Sequence, residues 1–563
     1  MKKGFVVSCV ACLMAMSAVA QDLTFNQGII FVNEDRYGPN TGSINFYDTE
    51  YDEILYNVHT LVNPGLNLGV TTQHGQLYGG RLFLVSKQAN GSEAAGNTSG
   101  ARLTVLDAAT LKFQARLLRF GQSPDSIYDG RCYCAVNVHK GYVATSAGIF
   151  VLDVDAMTTA GPIDGTQSSA RGDYNSLYYG QCGDMVRFGQ YVFAVQQGRG
   201  LHVIDPETDR VVKTIPFPNI VTAFVTAGGH LYVANNSREV YDFGTGPYEA
   251  NFTRIDPVAL EVLDVCQLPD DKGALSTWGA WHARMLCVDP RHERVYFNHE
   301  EYQNHVSAYD FTTREFTDTL ILLPDAADVN WDGTRNRQGL YASAISFDPV
   351  SGDMVLQTTE AAPMYAYQVF NHNWVLFYDG ETHQLKRQIR LSDAYWFPAM
   401  AVYPDNFAPE VSIADVVVPA RQETVISMLD AVTDADNMAA LAVSTASTAD
   451  DAVARVTMSG LDLHVTGLKA GRTTVAVTVD SNGRLTSTSF TVTVTAASMR
   501  GDVNMDGVID ISDVTALINI VLGSVLNNYD RAAGDLNRDG EISIIDVVAL
   551  IDVVLGKTTI VDD

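Results

Sequence analysis

The sequence predicts a mainly β protein built from three modules: a seven-bladed β-propeller, a β-sandwich and a small α-helical module with paired acidic loops. Three observations predict this. A strand pattern ending in Asp recurs along residues 22–405, alternating Val and Thr residues follow at 410–497, and two similar acidic loops lie within 500–563. A chain of 563 residues is long enough for three such modules.

The first twenty residues have the composition of a secretory signal peptide. Lys2 and Lys3 form a positively charged start, an apolar stretch runs from Phe5 to Met16, and the segment 18–20 (Ala-Val-Ala) is a small-residue cleavage site. Gln21 follows this site where a lipoprotein would need a cysteine, so we expect release by ordinary signal peptidase. The expected location is secreted, extracellular or associated with the cell surface.

Charge and hydropathy exclude two classes of partner. The net charge is −29, and an acidic chain repels phosphate backbones, so nucleic acid is not expected as a partner. No later run approaches the ~18 uninterrupted apolar residues of a membrane span. Five cysteines remain after cleavage, an odd and sparse set that indicates buried thiols, with one disulfide left open: Cys132, Cys134, Cys182, Cys266 and Cys287.

The propeller is predicted from an internal repeat. Two or three alternating apolar residues lead to an Asp, then to a turn and a further strand. The Asp residues are Asp48, Asp107, Asp153, Asp205, Asp256, Asp310 and Asp379, with spacings of 59, 46, 52, 51, 54 and 69. Each Asp is expected to accept hydrogen bonds from the turn backbone, and the strand after it is expected to return antiparallel.

Each copy of the repeat is preceded by another strand with a glycine or turn lead-in, so a unit of about 50 residues supplies roughly four short strands. One such unit cannot bury both of its faces, whereas seven stacked radially can. The segments GIIFVNE near the start and AMAVYP near residue 400 are expected to share a blade and close the ring. A series of two-sheet sandwiches is the alternative, but no linker-like stretch divides residues 22–405.

This region resembles the YVTN-type seven-bladed propellers, and among them an uncharacterised surface-propeller family of Gram-negative anaerobes. The resemblance is carried by FVNEDRYGPNTGSINFYD (Phe31 to Asp48), QLYGGRLFLVS (Gln76 to Ser86) and YWFPAMAVYPD (Tyr395 to Asp405). It implies the fold. Some relatives in that broad class capture cobalamin at the cell surface, and others have no known ligand.

Ligands of propellers usually bind at the axial mouth, so aromatic and polar residues in the inter-strand loops are candidate contacts. They are His74, Tyr78, Trp278, Trp281, His282, Arg284, Tyr395 and Trp396. Three hypotheses remain open: a module that binds a glycan or a small ligand such as cobalamin, a glycan-cleaving hydrolase or lyase, and a non-catalytic interaction scaffold. No nucleophile or zinc-protease motif selects an enzyme, and no catalytic residue is assigned.

Residues 410–497 alternate with period two in segments such as TTVAVTVD and SFTVTVT, separated by turns such as Ser481-Asn482-Gly483. This pattern predicts a β-sandwich and resembles bacterial Ig-like and cadherin-like spacer modules. Asp434 and Asp436 lie in a turn, for which we favour an Asp-capped turn over a calcium site.

The two acidic loops have the ligand spacing of an EF-hand-type calcium loop. Oxygen-bearing residues or backbone carbonyls stand at positions 1, 3, 5, 7, 9 and 12, and glycine stands at position 6. The first set is Asp502, Asn504, Asp506, Val508, Asp510 and Asp513; the second is Asp535, Asn537, Asp539, Glu541, Ser543 and Asp546. We expect two calcium ions to hold the module together, because the carboxylates of each loop would otherwise repel one another.

Each loop is followed by apolar residues at helical spacing and then by a glycine, Gly523 or Gly556. An ordinary EF-hand has Glu at position 12, but both loops here have Asp. Two loop–helix repeats with Asp at that position resemble a type I dockerin. The resemblance implies that a cohesin is the partner, that positions 10 and 11 (Ile511, Ser512, Ile544 and Ile545) help to set its choice, and that the role is related to polysaccharide breakdown or nutrient capture. Internal packing of the isoleucines is the alternative.

Overall fold

The structure is a computed structural model, and it confirms the mainly β class, with strands making up 51% and helices 7% of it. It describes residues 23–35, 41–89, 100–121, 128–168, 180–217, 219–236, 249–273, 286–299, 302–329, 335–361, 369–496, 499–524 and 529–560. The candidate ligand residues Trp278, Trp281, His282 and Arg284 and the expected signal peptide lie outside these ranges.

Within the described residues, successive antiparallel strands form seven four-stranded blades. Blade 1 has β1 (Gly28–Asn33), β2 (Ser43–Asp48) and β3 (Glu53–Leu55), followed by the short helix α1 (Val58–Val62); blade 2 has β4 (Val70–Tyr78), β5 (Arg81–Gln88), β6 (Leu103–Asp107) and β7 (Phe113–Leu117). Blade 3 has β8 (Gly130–Asn137), β9 (Lys140–Thr145), β10 (Gly148–Asp153) and β11 (Thr158–Ala160); blade 4 has β12 (Cys182–Phe188), β13 (Tyr191–Gln196), β14 (Gly200–Asp205) and β15 (Arg210–Pro216).

The remaining blades follow the same order. Blade 5 has β16 (Ile220–Val225), β17 (Leu231–Asn235), β18 (Asn251–Ile255) and β19 (Val262–Gln267); blade 6 has β20 (Leu286–Val288), β21 (Arg294–Phe297), β22 (His305–Asp310) and β23 (Glu315–Leu322). An additional strand, β24 (Asp325–Val329), pairs with the first strand of blade 7, which has β25 (Arg335–Phe347), β26 (Met354–Ala361), β27 (Val369–Tyr378) and β28 (Leu385–Arg390); β29 (Pro398–Val402) completes blade 1.

The ring closes as the sequence predicts. Strand β29 pairs antiparallel with β1, placing Val402 opposite Ile30 and Ala401 opposite Phe31. A single parallel bridge between Ser343 and Met400 also joins blade 7 to blade 1, so these two blades form one continuous sheet. Blade 1 is therefore built from both ends of the propeller sequence.

The repeated Asp plays the predicted role in every blade. At each of the seven positions, the carboxylate accepts hydrogen bonds from groups two and three residues further on, and the next strand returns antiparallel. The residue four positions after each Asp has a positive φ although none of the seven is glycine: Asp52, Leu111, Met157, Asp209, Leu260, Arg314 and His383. This left-handed residue was not predicted, because its identity varies from blade to blade.

Aromatic and aliphatic side chains fill the space between blades. Phe83 of blade 2 stacks on Tyr133 of blade 3 with ring centroids 4.2 Å apart, and Tyr47 of blade 1 lies 5.1 Å from Phe377 of blade 7. The five described cysteines are all buried, which confirms the prediction of buried thiols. The blades are therefore held together by apolar packing, and no disulfide joins the described cysteines.

The alternating segments after the propeller form short sheets, as their pattern predicts. Strands β31 (Val416–Pro419), β38 (Arg484–Thr495), β37 (Gly471–Ser481) and β34 (Val443–Thr448) form one sheet, β32 (Glu423–Ser427), β36 (Asp462–Gly467) and β35 (Ala454–Ser459) form a second, and β30 (Glu410–Val411) pairs with β33 (Val432–Thr433). Helix α2 (Met428–Ala431) and a 3-10 turn at Ala439–Leu441 complete this region. Val475, Val477 and Val479 are fully buried, as are Leu463 and Val465 of the second sheet.

The chain divides into two compact units. One contains Met1–Glu410 with Val432–Val443 and Asp480–Thr486, and the other contains Val411–Ala431, Ser444–Val479 and Ser487–Asp563. Two segments of the sandwich sequence therefore belong to the same unit as the propeller. In that unit, Asp436 accepts hydrogen bonds from the backbone of Asn406 and Phe407, and Asp434 accepts one from the backbone of Asp436, consistent with the favoured Asp-capped turn.

The C-terminal repeats form two helices of equal length, α3 (Ile511–Val521) and α4 (Ile544–Val554). Val514 and Leu517 of α3 pack with Val547 and Leu550 of α4, and all four side chains are buried. None of the helices in the described residues is long and apolar enough to cross a membrane.

Candidate calcium loops and propeller channel

The two acidic loops have the same backbone geometry. The carboxylate of Asp502 accepts hydrogen bonds from the backbone N–H of Asp506 at 3.0 Å and of Gly507 at 2.9 Å, and Asp535 accepts the equivalent bond from Gly540 at 2.9 Å. Gly507 and Gly540 have φ values of 86° and 84°, a left-handed conformation that glycine adopts without steric cost. The predicted sharp turn at position 6 is present in both loops.

The carboxylate at position 12 closes each loop and lies in the first turn of the helix that follows. Asp513 is fully buried and accepts 2.9 Å hydrogen bonds from the backbone N–H groups of Asn504 and Asp510. Asp546 is also fully buried and accepts one from Ser543. Asp510 and Ser543 are helix N-caps in capping boxes with these two residues. The EF-hand spacing alone did not predict these capping boxes. It does contain both members of each box, at positions 9 and 12.

The donor set of both loops fits a hard divalent cation. It consists of carboxylate, amide, hydroxyl and carbonyl oxygens, which calcium prefers in groups of roughly six to eight. In the first loop, burial raises the pKa of Asp502, and the neighbouring carboxylates of Asp513 and Asp506 add to that rise against the lowering effect of the Gly507 N–H. Negative charge is thus concentrated where a cation would reduce its cost.

The residues at positions 10 and 11 are exposed on the first turn of each helix. Ile511, Ile544 and Ile545 are 64%, 62% and 60% exposed, and Ser512 is exposed beside Ile511. The alternative that the isoleucines pack internally is therefore wrong. Exposed apolar side chains at matching places on two helices can contact a partner surface.

The structure does not bring the four described ligand candidates of the propeller together. His74 is buried with its Nε2 3.9 Å from the Cys132 sulfur, and the Tyr78 hydroxyl donates a 2.6 Å hydrogen bond to Asp480. Trp396 donates its indole N–H to the Ser392 carbonyl at 2.8 Å and stacks on a tyrosine, and Tyr395 is half-buried among phenylalanines. Each of the four has packing or hydrogen-bond partners of its own.

A cavity of about 280 Å³, called the channel cavity below, lies between the first strands of several blades and is also lined by Met438 and Leu441 of the same compact unit. Asp184 and Asp436 are buried carboxylates among its lining residues, and Asp184 accepts hydrogen bonds from the Thr222 hydroxyl at 2.7 Å and from the Met185 N–H at 3.0 Å. Sequence reasoning missed Asp184. The only signal in the sequence was that Asp184 is a single acidic residue within the segment that forms β12, whose other residues face neighbouring blades.

Two models of known protein families match regions of this chain. A family model described as a domain of unknown function, DUF5074, matches residues 27–404, which is more than half of the chain. The chain belongs to the DUF5074 family. The DUF5074 region is the seven-bladed propeller described above, and the channel cavity lies within the unit that contains it.

A second family model, the dockerin type I domain, matches residues 500–555. The chain therefore carries a type I dockerin C-terminal to its DUF5074 domain, which confirms the resemblance inferred from the paired loops. Dockerin domains generally bind calcium and dock to cohesins, and proteins that contain them are typically extracellular or on the cell surface.

No curated protein matches the chain. Solved structures that resemble it include a quinonprotein alcohol dehydrogenase-like protein from Bacteroides thetaiotaomicron, at 11% identity over 68% of this chain and 80% of that one, with a TM-score of 0.47. Apo AztD from Citrobacter koseri is 10% identical over 84% and 96% of the two chains, with a TM-score of 0.34. BamB from Moraxella catarrhalis is 14% identical over 66% and 88%, also with a TM-score of 0.34. At these TM-scores, the likenesses say nothing about ligand or activity.

Proposed function

We propose that this DUF5074 protein is secreted, that its dockerin holds two calcium ions and docks to a cohesin, and that docking presents the propeller for polysaccharide breakdown or nutrient capture. The observation that supports this is the pair of in-register loops, each ending in a helix whose first turn exposes apolar side chains. We take 1–20 as the signal peptide, 22–405 as the propeller, 410–497 as the Ig-like spacer and 500–563 as the dockerin.

Each calcium ion would be held by one loop, through the side chains at positions 1, 3, 5, 9 and 12 and the carbonyl at position 7. The ion supplies positive charge between carboxylates that otherwise face one another, and it fixes the loop that leads into each helix. Because Asp513 and Asp546 also take part in the capping boxes of α3 and α4, ordering of the loops would order the helix starts.

Docking is expected to use Ile511 and Ser512 of α3 and Ile544 and Ile545 of α4. These residues are positions 10 and 11 of the loops, so the geometry of the partner-binding surface depends on the loops being closed. Apolar contacts at the centre of an interface carry most of its binding energy. Replacing an exposed isoleucine by aspartate should therefore weaken docking without opening the buried helix pair.

The first prediction concerns calcium-dependent docking. The full chain should bind at least one member of a panel of immobilised type I cohesin modules in calcium, and a chelator should abolish the binding. For that module, I511D and the double variant I544D/I545D should weaken binding by about tenfold or more, as expected for interface anchors. V350D is the matched control, since Val350 is a 67% exposed side chain of the propeller. Retention of full affinity in chelator, or in all the isoleucine variants, would contradict the proposal.

A second function, binding of a small polar ligand by the propeller, is favoured by the channel cavity. Its volume of about 280 Å³ is at the lower end for ligand sites, and it suits a monosaccharide-sized molecule better than cobalamin. Asp184 provides a buried carboxylate that can accept hydrogen bonds from ligand hydroxyls. A non-catalytic scaffold and a glycan-cleaving enzyme are the alternatives that the same measurement addresses.

The second prediction is that a monosaccharide from a neutral sugar panel raises the thermal unfolding temperature of the full chain, and that cobalamin does not. D184N keeps the side-chain volume but removes the charge, so it should weaken the sugar response about tenfold. D271N is the control, because Asp271 is an exposed carboxylate of the same unit. Absence of any sugar response would leave the scaffold interpretation, and release of a cleaved product from oligosaccharides would favour the enzyme.

A further inference from the structure

Blade 6 brings two histidines and an aspartate together outside the channel. His299 follows β21, His305 begins β22 and Asp318 lies on β23. The Nε2 atom of His299 is 3.0 Å from Oδ1 of Asp318, and the Nε2 atom of His305 is 3.9 Å from the same oxygen. One ligand atom from each of the three residues lies within 4.8 Å of the other two.

These separations match the requirements of a tetrahedral ion. Two ligands at 2.0–2.1 Å from such an ion lie roughly 3.4 Å apart, and the two His–Asp distances of 3.0 and 3.9 Å bracket that value. Adjustments of less than about 1 Å would therefore place a cation among the three atoms.

The histidines are set in place by their own surroundings. Gln303 accepts a hydrogen bond from the backbone N–H of His299 at 3.1 Å and donates one to the carbonyl of His305 at 2.7 Å, linking the two histidines. The second ring nitrogen of His305 is 3.4 Å from the Asn304 side-chain oxygen. Such an outer partner fixes which ring nitrogen faces a metal.

The exposed fraction of the side chain increases from His299 to His305 and to Asp318. The side chains of His299, His305 and Asp318 are 5%, 19% and 46% exposed. The imidazoles therefore form the inner wall of the cluster, and the carboxylate lies on its solvent side, which is the side from which a water molecule could reach a bound ion.

We propose that His299, His305 and Asp318 form a binding site for a divalent transition cation of the zinc class, with one position open to solvent. Imidazole ligands favour zinc, copper or nickel over calcium and magnesium, which prefer oxygen. Three protein ligands with an open position are typical of zinc sites that exchange a water or another small ligand. The site is independent of the dockerin and of the proposed docking function.

One feature opposes metal binding and provides a sharp test. The ammonium group of Lys272 lies 3.1 Å from Asp318 Oδ1 and neutralises the carboxylate that the metal would use. If the three side chains form only an ion-pair network with Lys272, removing Lys272 weakens that network. If it is a metal site, K272M removes a repelling cation and should bind zinc more tightly, roughly tenfold by the Coulomb energy of nearby charges.

The third prediction is tested by zinc titration of the full chain in saturating calcium, with bound metal measured after dialysis. Wild-type protein should retain one zinc ion at a site that calcium does not compete for, and H305Q and D318N should each weaken it by more than about tenfold. H139Q is the matched control, since His139 pairs with a single carboxylate, Asp155, on another blade. Cobalt loading should give the visible absorption of a tetrahedral site, lost in D318N.

The outcomes separate the alternatives. Equal zinc retention by the wild-type, H305Q and D318N proteins, or weaker zinc binding by K272M, would overturn the proposal. If H305Q is poorly folded, K272M still decides, because it leaves all three proposed ligands in place.

Discussion

At the scale of single residues, His59 shows how the propeller depends on a neutral imidazole. It lies in helix α1, is 3% exposed, and its Nδ1 accepts a hydrogen bond from the backbone N–H of Ile44 at 3.3 Å. Burial lowers the pKa of His59 to about 4. Protonation would place a charge in the apolar cluster and convert the accepting nitrogen into a donor.

The fourth prediction follows from that shift. The imidazole pKa is about 6.5 in an unfolded chain and about 4 in the folded protein. The contribution of neutral His59 to the free energy of unfolding is therefore fully present above pH 6.5 and is lost as the pH falls towards 4. Between pH 7 and pH 5 the loss should be about 2 kcal/mol. Urea unfolding followed by tryptophan fluorescence reports on the propeller, since all five tryptophans lie between residues 278 and 396.

The variant H59Q should flatten that part of the pH profile, because glutamine does not titrate. The exposed His139 is the control, and H139Q should leave the profile unchanged. An H59Q profile as steep as that of the wild-type protein would show that other groups dominate the acid response.

At the scale of elements, the repeated unit is the turn that joins the third and fourth strands of each blade. Asp256 is a simple example, because its carboxylate accepts hydrogen bonds from the backbone of Val258 at 2.8 Å and Ala259 at 2.9 Å. Leu260 then adopts a φ of 58° and donates its N–H to the Asp256 carbonyl. The carboxylate thus satisfies two turn donors and fixes where the outer strand starts.

The fifth prediction is that D256A destabilises the propeller by about 1–2 kcal/mol, since two backbone donors lose their protein acceptor. The matched control is D270A, at an exposed aspartate that follows β19 in the same blade. The free energy of unfolding from urea titration, again by tryptophan fluorescence, checks this value. Equal stability of the two variants would mean that the turn backbone alone sets the geometry.

At the scale of the whole molecule, the features that could be predicted from sequence are those that depend on the spacing of residues close together along the chain. The Asp repeat located all seven blades because each Asp carboxylate accepts hydrogen bonds from groups only two and three positions further along the chain, as Asp256 does. The dockerin loops were recognised for the same reason, since their proposed ligands lie within twelve consecutive positions. Chemistry confined to one turn or loop can be inferred without knowing the fold.

Sites assembled across the fold were not predictable in this way. Asp184 and Thr222 stand on two successive blades, and their 2.7 Å contact exists only once those blades pack together. His299, which follows β21, and Asp318 of β23 meet across the intervening strand β22, through a register that the sequence does not specify. The candidate aromatics His74, Tyr78, Tyr395 and Trp396 were chosen by type, and packing gave each one a separate environment.

The pairing of β29 with β1 determines the order in which this domain can be completed. During synthesis, β1 emerges among the first strands and its partner β29 (Pro398–Val402) among the last. Until then, one edge of β1 lacks its partner, and an unpaired edge is a template for association with other chains. Closure also joins residues that are far apart in sequence, which slows folding. A nascent or truncated chain that stops before Pro398 therefore has an incomplete propeller, in which the unpaired edge of β1 can associate with other chains. Addition of the last few residues of the domain pairs this edge and closes the ring.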